Sequence, residues 1–388
     1  MKHYAEQNGA WYEFDLGRIR SRLEYLRSLL GNGIALAYAV KANTFIIQEM
    51  IPWVERFEIC SPGESAICDH LGVPPEKTVI SGVYKTPGFI EDIVANTDGR
   101  IYTVESMTQF ALLRHLSEKY RKTLKVLIRL TNDSQFGINE SEILQIIANR
   151  ADYAYLNIQG IQFFSGTQKT SLKKLARELR TLDTLLEKLE TEYGYAAEEL
   201  EYGPGFPVAY YQDEVLDEQA LISGFAELLE QMPHRPPHIT LELGRCIAAC
   251  CGRYFTHIVD KKTNKGQNYL LIDGGMHQIV YFGQYMGMKH PMLSVPGKEC
   301  EPVADNWNIC GSLCSMNDIV AKQVPLPEIS VGDTLCFENA GAYCMTEGIS
   351  LFLTREIPAV YLISTDGHRI CVRESFETCT LNTPNYIK

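Results

Sequence analysis

Up to about residue 244, apolar and polar positions alternate between two spacings, and beyond it only one of them persists. Short apolar runs occupy residues 34–40, 57–60, 78–81, 100–104, 124–130, 156–163, 200–202 and 239–242. Runs of this length, rich in Val, Ile, Leu, Ala, Tyr and Phe and bounded by turn residues, predict buried parallel strands. Between them, residues 46–55, 63–70, 87–95, 106–119, 141–148, 172–192 and 214–231 carry apolar side chains at helical spacing. Strands and helices in strict alternation, eight of one and seven of the other, predict a single (β/α)8 TIM-like barrel of the α/β class.

After about Gly252 the segments 269–272, 278–281, 319–324, 334–337, 360–363 and 369–372 read as strands, separated by turns rich in Gly, Pro, Asp and Asn. No helical period interrupts them, so an all-β domain is expected here. The strand-like segment 10–16 precedes the barrel and is expected to pair with that domain. The expected division is a barrel over residues 22–252 and a β domain formed by residues 1–21 with 253–388.

Composition narrows the function classes. A chain of 388 residues with 45% hydrophobic content has material for a large core. The net charge of -12, with Lys and Arg scattered, disfavours nucleic acid or an anionic membrane as the main partner. No apolar run is long enough to span a bilayer, and residues 1–9 lack the apolar stretch of a secretory signal, so a cytoplasmic location is expected. That context favours reduced thiols for the 12 cysteines, most of them expected as small core residues. No Cys pair has C-x-x-C spacing, and no metal site is expected.

In a (β/α)8 barrel, catalytic groups gather just past the strand C-termini. Polar and glycine-rich sequences fall there repeatedly: YAVKAN (38–43), CSPGE (60–64), SGVYK (81–85), FFSGTQ (163–168), YGPGFP (202–207) and ELGR (242–245). Lys41 follows an apolar flank, which favours the neutral amine that imine chemistry needs; the ordinary alternative is an ammonium in water. Gly203-Pro204-Gly205 offers backbone N–H groups for a phosphate, or is a plain turn. Ser165, Gly166 and Thr167 add small donor-rich contacts, and Arg245 adds a fixed positive charge. Glu242 ends an apolar run and needs a partner there, either a pyridine nitrogen or Arg245.

YAVKAN, FEICSPGE, FGI, GIQFFSGTQ, YGPGFP, ELGR, DGGM (273–276), CGSLCSMND (310–318) and GDTLCFENAGAY (332–343) occur in this order. The set resembles the fold-type III pyridoxal-phosphate decarboxylases, the group of ornithine, arginine, diaminopimelate and carboxynorspermidine decarboxylases. The resemblance implies an alanine-racemase-like barrel with a C-terminal β domain, and pyridoxal 5'-phosphate as cofactor. It implies Lys41 as the Schiff-base lysine and Glu242 as partner of the pyridine nitrogen. Gly203, Gly205, Arg245 and Tyr343, helped by Thr167, are implied as phosphate ligands, and Phe164 as the residue stacked on the ring. Cys314 is implied as the thiol that protonates Cα, its alternative being a buried thiol without a task. The resemblance also implies a homodimer whose active sites are shared, with Cys314 and its neighbours reaching the other subunit's site.

Departures from the family pattern carry information. Phe164 stands where the family usually has His, Pro204 interrupts a run of glycines, and ELGR replaces EPGR. Ser315 follows Cys314 where diamine-forming members carry Asp or Glu, so the substrate-binding loop lacks the charge that grips a distal ammonium. Asp318 is retained, without a clear substrate role. The expected activity is therefore decarboxylation at Cα of an amino acid, modified or tethered to a carrier protein rather than a simple diamino acid. A pyridoxal-phosphate racemase and a catalytically inactive regulator of the same fold are the alternatives; Glu242 and Cys314 speak against the first, and the retained Lys41, Glu242, Arg245 and Tyr343 against the second.

Overall fold

A computed structural model of the chain describes residues 9–31 and 33–384. The expectation of a leaderless N-terminus rests largely on residues 1–8, which lie outside the described residues. The chain divides into two compact units: residues 23–207 with 217–246, and residues 1–22 with 208–216 and 247–388.

The first unit is a closed barrel of eight parallel strands: β2 (Ile34–Ala39), β3 (Arg56–Ile59), β4 (Thr78–Ile80), β5 (Ile101–Val104), β6 (Leu124–Arg129), β7 (Leu156–Phe164), β8 (Glu199–Gly203) and β9 (His238–Leu243), with β9 pairing back onto β2. Each strand is covered on both faces, so β3 to β5 and β8 are almost continuously buried, in keeping with their unbroken apolar character. The helices between the strands are cut to length by their caps. Ser106 accepts from the Gln109 N–H to start Met107–Tyr120, and Ser171 does the same for Leu172–Tyr193, which Gly194 ends in a left-handed conformation. Leu175, Leu179, Leu182, Leu186 and Leu189 form the buried stripe of that helix.

Several boundaries differ from expectation. The expected helix over 46–55 is a single turn, Ile47–Met50, because the chain bends at Ile51-Pro52-Trp53. The helix expected from 214 starts at Glu218, where Asp217 caps the Ala220 N–H. The helix Leu16–Leu30 was not anticipated, although its buried Ile19, Leu23, Leu26 and Leu30 are spaced by four, three and four residues.

The second unit is built on a nine-stranded sheet of the described residues. Strand β1 (Trp11–Asp15) runs antiparallel to β10 (Gly252–Asn264) and parallel to a strand at Ala359–Ile363, so the strand-like N-terminal segment does pair within the β unit. Trp11 anchors it by stacking on Phe255, ring centroids 4.9 Å apart. The strand Gln267–Ile272 follows β10, and Asp305–Cys310, Ile319–Leu326, Thr334–Phe337 and Arg369–Arg373 complete most of the sheet. The strand expected at 278–281 is instead part of a turn, with Gln278 and Ile279 N–H groups both donating to the Gly275 carbonyl. Among the described residues no helix is long and apolar enough to cross a membrane. All 12 cysteines are free thiols, but only Cys68, Cys246, Cys251, Cys336 and Cys344 are buried, so the expectation that most are core residues is corrected.

Candidate active site

Lys41 lies just past β2 in a short 3-10 turn, Val40–Ala42. The rest of YAVKAN holds that turn: the Tyr38 hydroxyl donates to the Asn43 carbonyl at 2.9 Å, and Asn43 Oδ1 accepts the Phe45 N–H at 2.9 Å. Strand register then brings two carboxylates to the amine. Ala39 of β2 pairs with Glu58 of β3, and Ala37 pairs with Glu242 of β9. Lys41 Nζ donates to Glu58 Oε2 at 2.7 Å and lies 3.5 Å from Glu242 Oε1 and 3.6 Å from Cys60 Sγ. Glu58 was not singled out from the sequence, although its signal, a carboxylate inside the apolar run FEIC, was of the same kind as Glu242's.

Both carboxylates are buried, and their surroundings push them in opposite directions. Burial opposes the charge of Glu58, but the Lys41 ammonium, its hydrogen bond and the Cys60 thiol outweigh it and hold Glu58 below the usual carboxylate range. Burial and the neighbouring Glu58 charge push Glu242 up to about 7. Glu242 Oε2 is fixed by the Gln162 amide at 3.1 Å. Burial pushes the Cys60 thiol up as well, keeping it a protonated donor to Glu58. Lys85, at the end of SGVYK, serves structure: its ammonium donates to the Gly82 carbonyl, Thr103 and Gln109, and burial pulls it down to about 8.

The glycine-rich ends of β7 and β8 form a tight cradle. Phe164 lies so close to Gly203 that a Cβ there would sit 2.4 Å from its ring. Gly205 adopts φ +61, and a Cβ would lie 2.0 Å from the Gly166 carbonyl oxygen. The Lys169 N–H donates to the Gly205 carbonyl at 2.9 Å, locking the two loops together. Arg245 Nε donates to Thr167 Oγ1 at 3.3 Å. Glu178, absent from the sequence reading, buttresses the loop from the helix Leu172–Tyr193 by accepting from Ser165, Lys169 and Tyr202 at 2.5, 2.7 and 2.5 Å. The barrel unit thus gathers Lys41 with Glu242, Phe164 with Gly203, and Thr167 with Arg245.

This donor set fits pyridoxal phosphate. An amine for the aldehyde, a buried carboxylate beside it, and a side-chain-free cradle with hydroxyl and guanidinium donors all come from strand ends of one barrel. A Gly205→Ala variant is expected to bind the cofactor at least tenfold more weakly in an absorbance titration, since the left-handed backbone alone costs on the order of 1 kcal/mol and the carbonyl contact adds to it.

The remaining expected site residues belong to the β unit. Cys314 is exposed, so the thiol is not buried in a core. Ser315 Oγ accepts the Asn317 N–H at 3.3 Å within the same loop. Tyr343 holds a left-handed φ of 65, and its carbonyl accepts the Thr346 and Glu347 N–H groups. Among the described residues, no group of His, Cys, Asp and Glu is arranged to hold a metal ion.

Comparison with known proteins identifies the family. The profile of the family described as "Pyridoxal-dependent decarboxylase, pyridoxal binding domain" matches residues 16–249. The chain is 27% identical to the L-glutamyl-[BtrI acyl-carrier protein] decarboxylase of Niallia circulans, covering 94% of this chain and 91% of the relative. It is 25% identical to the 2-[(L-alanin-3-ylcarbamoyl)methyl]-2-hydroxybutanedioate decarboxylase of Staphylococcus aureus, covering 91% and 94%. The crystal structure of diaminopimelate decarboxylase from Methanocaldococcus jannaschii superposes with a TM-score of 0.85 at 21% identity, covering 97% of this chain and 92% of that one, a likeness of fold. With a barrel that offers an amine, a carboxylate and a glycine-rich cradle, and a family profile matched over more than half its length, the chain belongs to the pyridoxal-dependent decarboxylases.

Proposed function

We propose that this decarboxylase removes the Cα carboxylate of a modified or carrier-tethered amino acid, not of a free diamino acid. One observation carries the substrate reading: the loop after Cys314 offers no outward carboxylate. Ser315 is uncharged and engaged with the Asn317 N–H, and the Asp318 carboxylate turns inward onto the Leu313 and Met276 N–H groups. A distal ammonium arriving there would be desolvated without an ionic partner. The Niallia circulans relative, named for a glutamyl group on an acyl-carrier protein, and the Staphylococcus aureus relative, named for a modified amino acid, support the same reading.

Pyridoxal phosphate, when bound, supplies an aldehyde for amines and a ring that accepts an electron pair. Lys41 is the amine that would hold it, and Glu58 holds the Lys41 proton at 2.7 Å. Glu242, oriented by Gln162, would face the ring nitrogen and stabilise positive charge there. Gly203, Gly205, Thr167 and Arg245, with Tyr343, would take the phosphate, and Phe164 would stack on the ring. As carbon dioxide leaves, Cα keeps the bonding pair, and Cys314 delivers the proton that replaces the carboxylate; solvent then reprotonates the thiolate. The Cys314 assignment implies a homodimer, with each β unit serving its partner's barrel.

Carbon dioxide release is the test. Glutamyl thioesters of N-acetylcysteamine and of phosphopantetheine are expected to exceed free ornithine, lysine, arginine and diaminopimelate in kcat/KM by about 100-fold or more, roughly 2.7 kcal/mol of differential transition-state binding. Efficient turnover of any of the four free amino acids overturns the substrate reading.

A further inference from the structure

Cys314 sits in an irregular loop between the strands Asp305–Cys310 and Ile319–Leu326. A proton donor on such a loop needs something to hold it in place, because an unsupported loop samples many positions. The far end of the loop supplies a buried carboxylate. Asp318 is 2% exposed, its Oδ2 accepts the Leu313 N–H and its Oδ1 the Met276 N–H, both at 2.8 Å. One side chain therefore ties the residue just before Cys314 to the DGGM turn. Backbone bonds run alongside: Ser312 N–H to the Gly274 carbonyl at 2.8 Å and Gly311 N–H to the Asp318 carbonyl at 2.9 Å.

The glycines of both motifs make room for this carboxylate. A Cβ on Gly311 would lie 2.2 Å from Asp318 Oδ2, and one on Gly275 would lie 2.7 Å from either Asp318 oxygen. DGGM and CGSLCSMND are far apart in the chain but are two halves of one joint, with Asp318 as the pin. A buried carboxylate is costly unless its oxygens are hydrogen-bonded, and both are.

We infer that Asp318 is a positioning residue: its carboxylate clamps the Cys314 loop to the 274–276 turn and thereby fixes where the Cys314 thiol is presented. The functional half of this inference rests on Cys314 being the proton donor.

The test compares the wild-type holoenzyme with Asp318→Ala, Asp318→Asn and Cys314→Ser. Amide hydrogen exchange across 274–277 and 311–319 is expected to quicken by about tenfold or more in Asp318→Ala, and by less in Asp318→Asn, which keeps one acceptor oxygen. With the glutamyl N-acetylcysteamine thioester as probe, kcat is expected to fall about tenfold in Asp318→Ala while KM stays within about threefold. Unchanged cofactor absorbance and exchange elsewhere show that the variants fold; if the alanine variant does not fold, the asparagine variant carries the same comparison. Unchanged exchange in both loops overturns the clamp. Faster exchange with wild-type kcat, in a protein where Cys314→Ser is slow, overturns the positioning role. If Cys314→Ser is as fast as wild type, or the probe is not turned over at all, the reading of the site fails instead, and hydrogen exchange alone decides the clamp.

Discussion

A Lys41→Ala variant is expected to lose the visible absorbance band that appears when the wild-type protein takes up pyridoxal phosphate, and to release carbon dioxide slower by on the order of 10⁴-fold. The reason lies in the neighbourhood of the amine. Lys41 Nζ is the one cation bonded to Glu58 among the described residues, and it lies 3.5 Å from Glu242, so its removal leaves two buried carboxylates facing each other. Their repulsion is then relieved by taking up a proton, and the site changes its charge as well as its nucleophile. Gly203, Gly205, Thr167 and Arg245, proposed to take the phosphate, are untouched, so weak cofactor binding without the band is the expected signature. Retention of the band in Lys41→Ala would mean that another amine holds the cofactor.

Glu242→Gln is expected to lower kcat on the order of 100-fold with little change in KM, because a neutral amide cannot stabilise charge at a ring nitrogen. The same substitution has a second readout in the cofactor-free protein. Burial and Glu58 raise Glu242 from 4.5 to about 7, so between these values the folded state holds a proton that the unfolded state has released. Stability from this group is present below the unfolded value and declines as pH rises through about 7, by on the order of 3 kcal/mol. Urea unfolding of the cofactor-free wild type from pH 5 to pH 8 is expected to show this decline relative to Glu242→Gln. Parallel pH profiles for the two proteins would show that Glu242 is not the titrating carboxylate. Glu58 acts in the opposite sense, its lowered pKa favouring the folded state above the ordinary carboxylate range.

The barrel was legible because parallel strands covered on both faces need unbroken apolar runs, and the chain supplies these at the eight strand positions. The β unit was less so. Its longest strand, Gly252–Asn264, ends in the exposed polar stretch of Asp260, Lys261, Lys262 and Thr263, which carries no apolar signal. The segment 278–281 carries the β-branched and aromatic residues of a strand, yet its backbone closes on Gly275 instead of pairing in the sheet. Leu16–Leu30 was passed over because four arginines dilute a period that its buried residues keep.

Residue types alone determined where the reactive groups stand along the chain: an amine past the first barrel strand, a carboxylate at the end of the last, and glycines and hydroxyls at the strand ends between them. These are local properties, set by which side chains a strand end can carry. Only the tertiary structure decided which of them meet. The pairing of Ala39 with Glu58 and of Ala37 with Glu242 brings both carboxylates to Lys41, and a shift of one residue would turn each to the other face. Glu178 beneath the glycine-rich cradle was likewise silent in the sequence, and Asp318 beneath the Cys314 loop was visible there only as a retained residue without a role. A buried carboxylate's task is set by which N–H and O–H groups the fold brings within 3 Å of it, and those donors come from elsewhere in the chain.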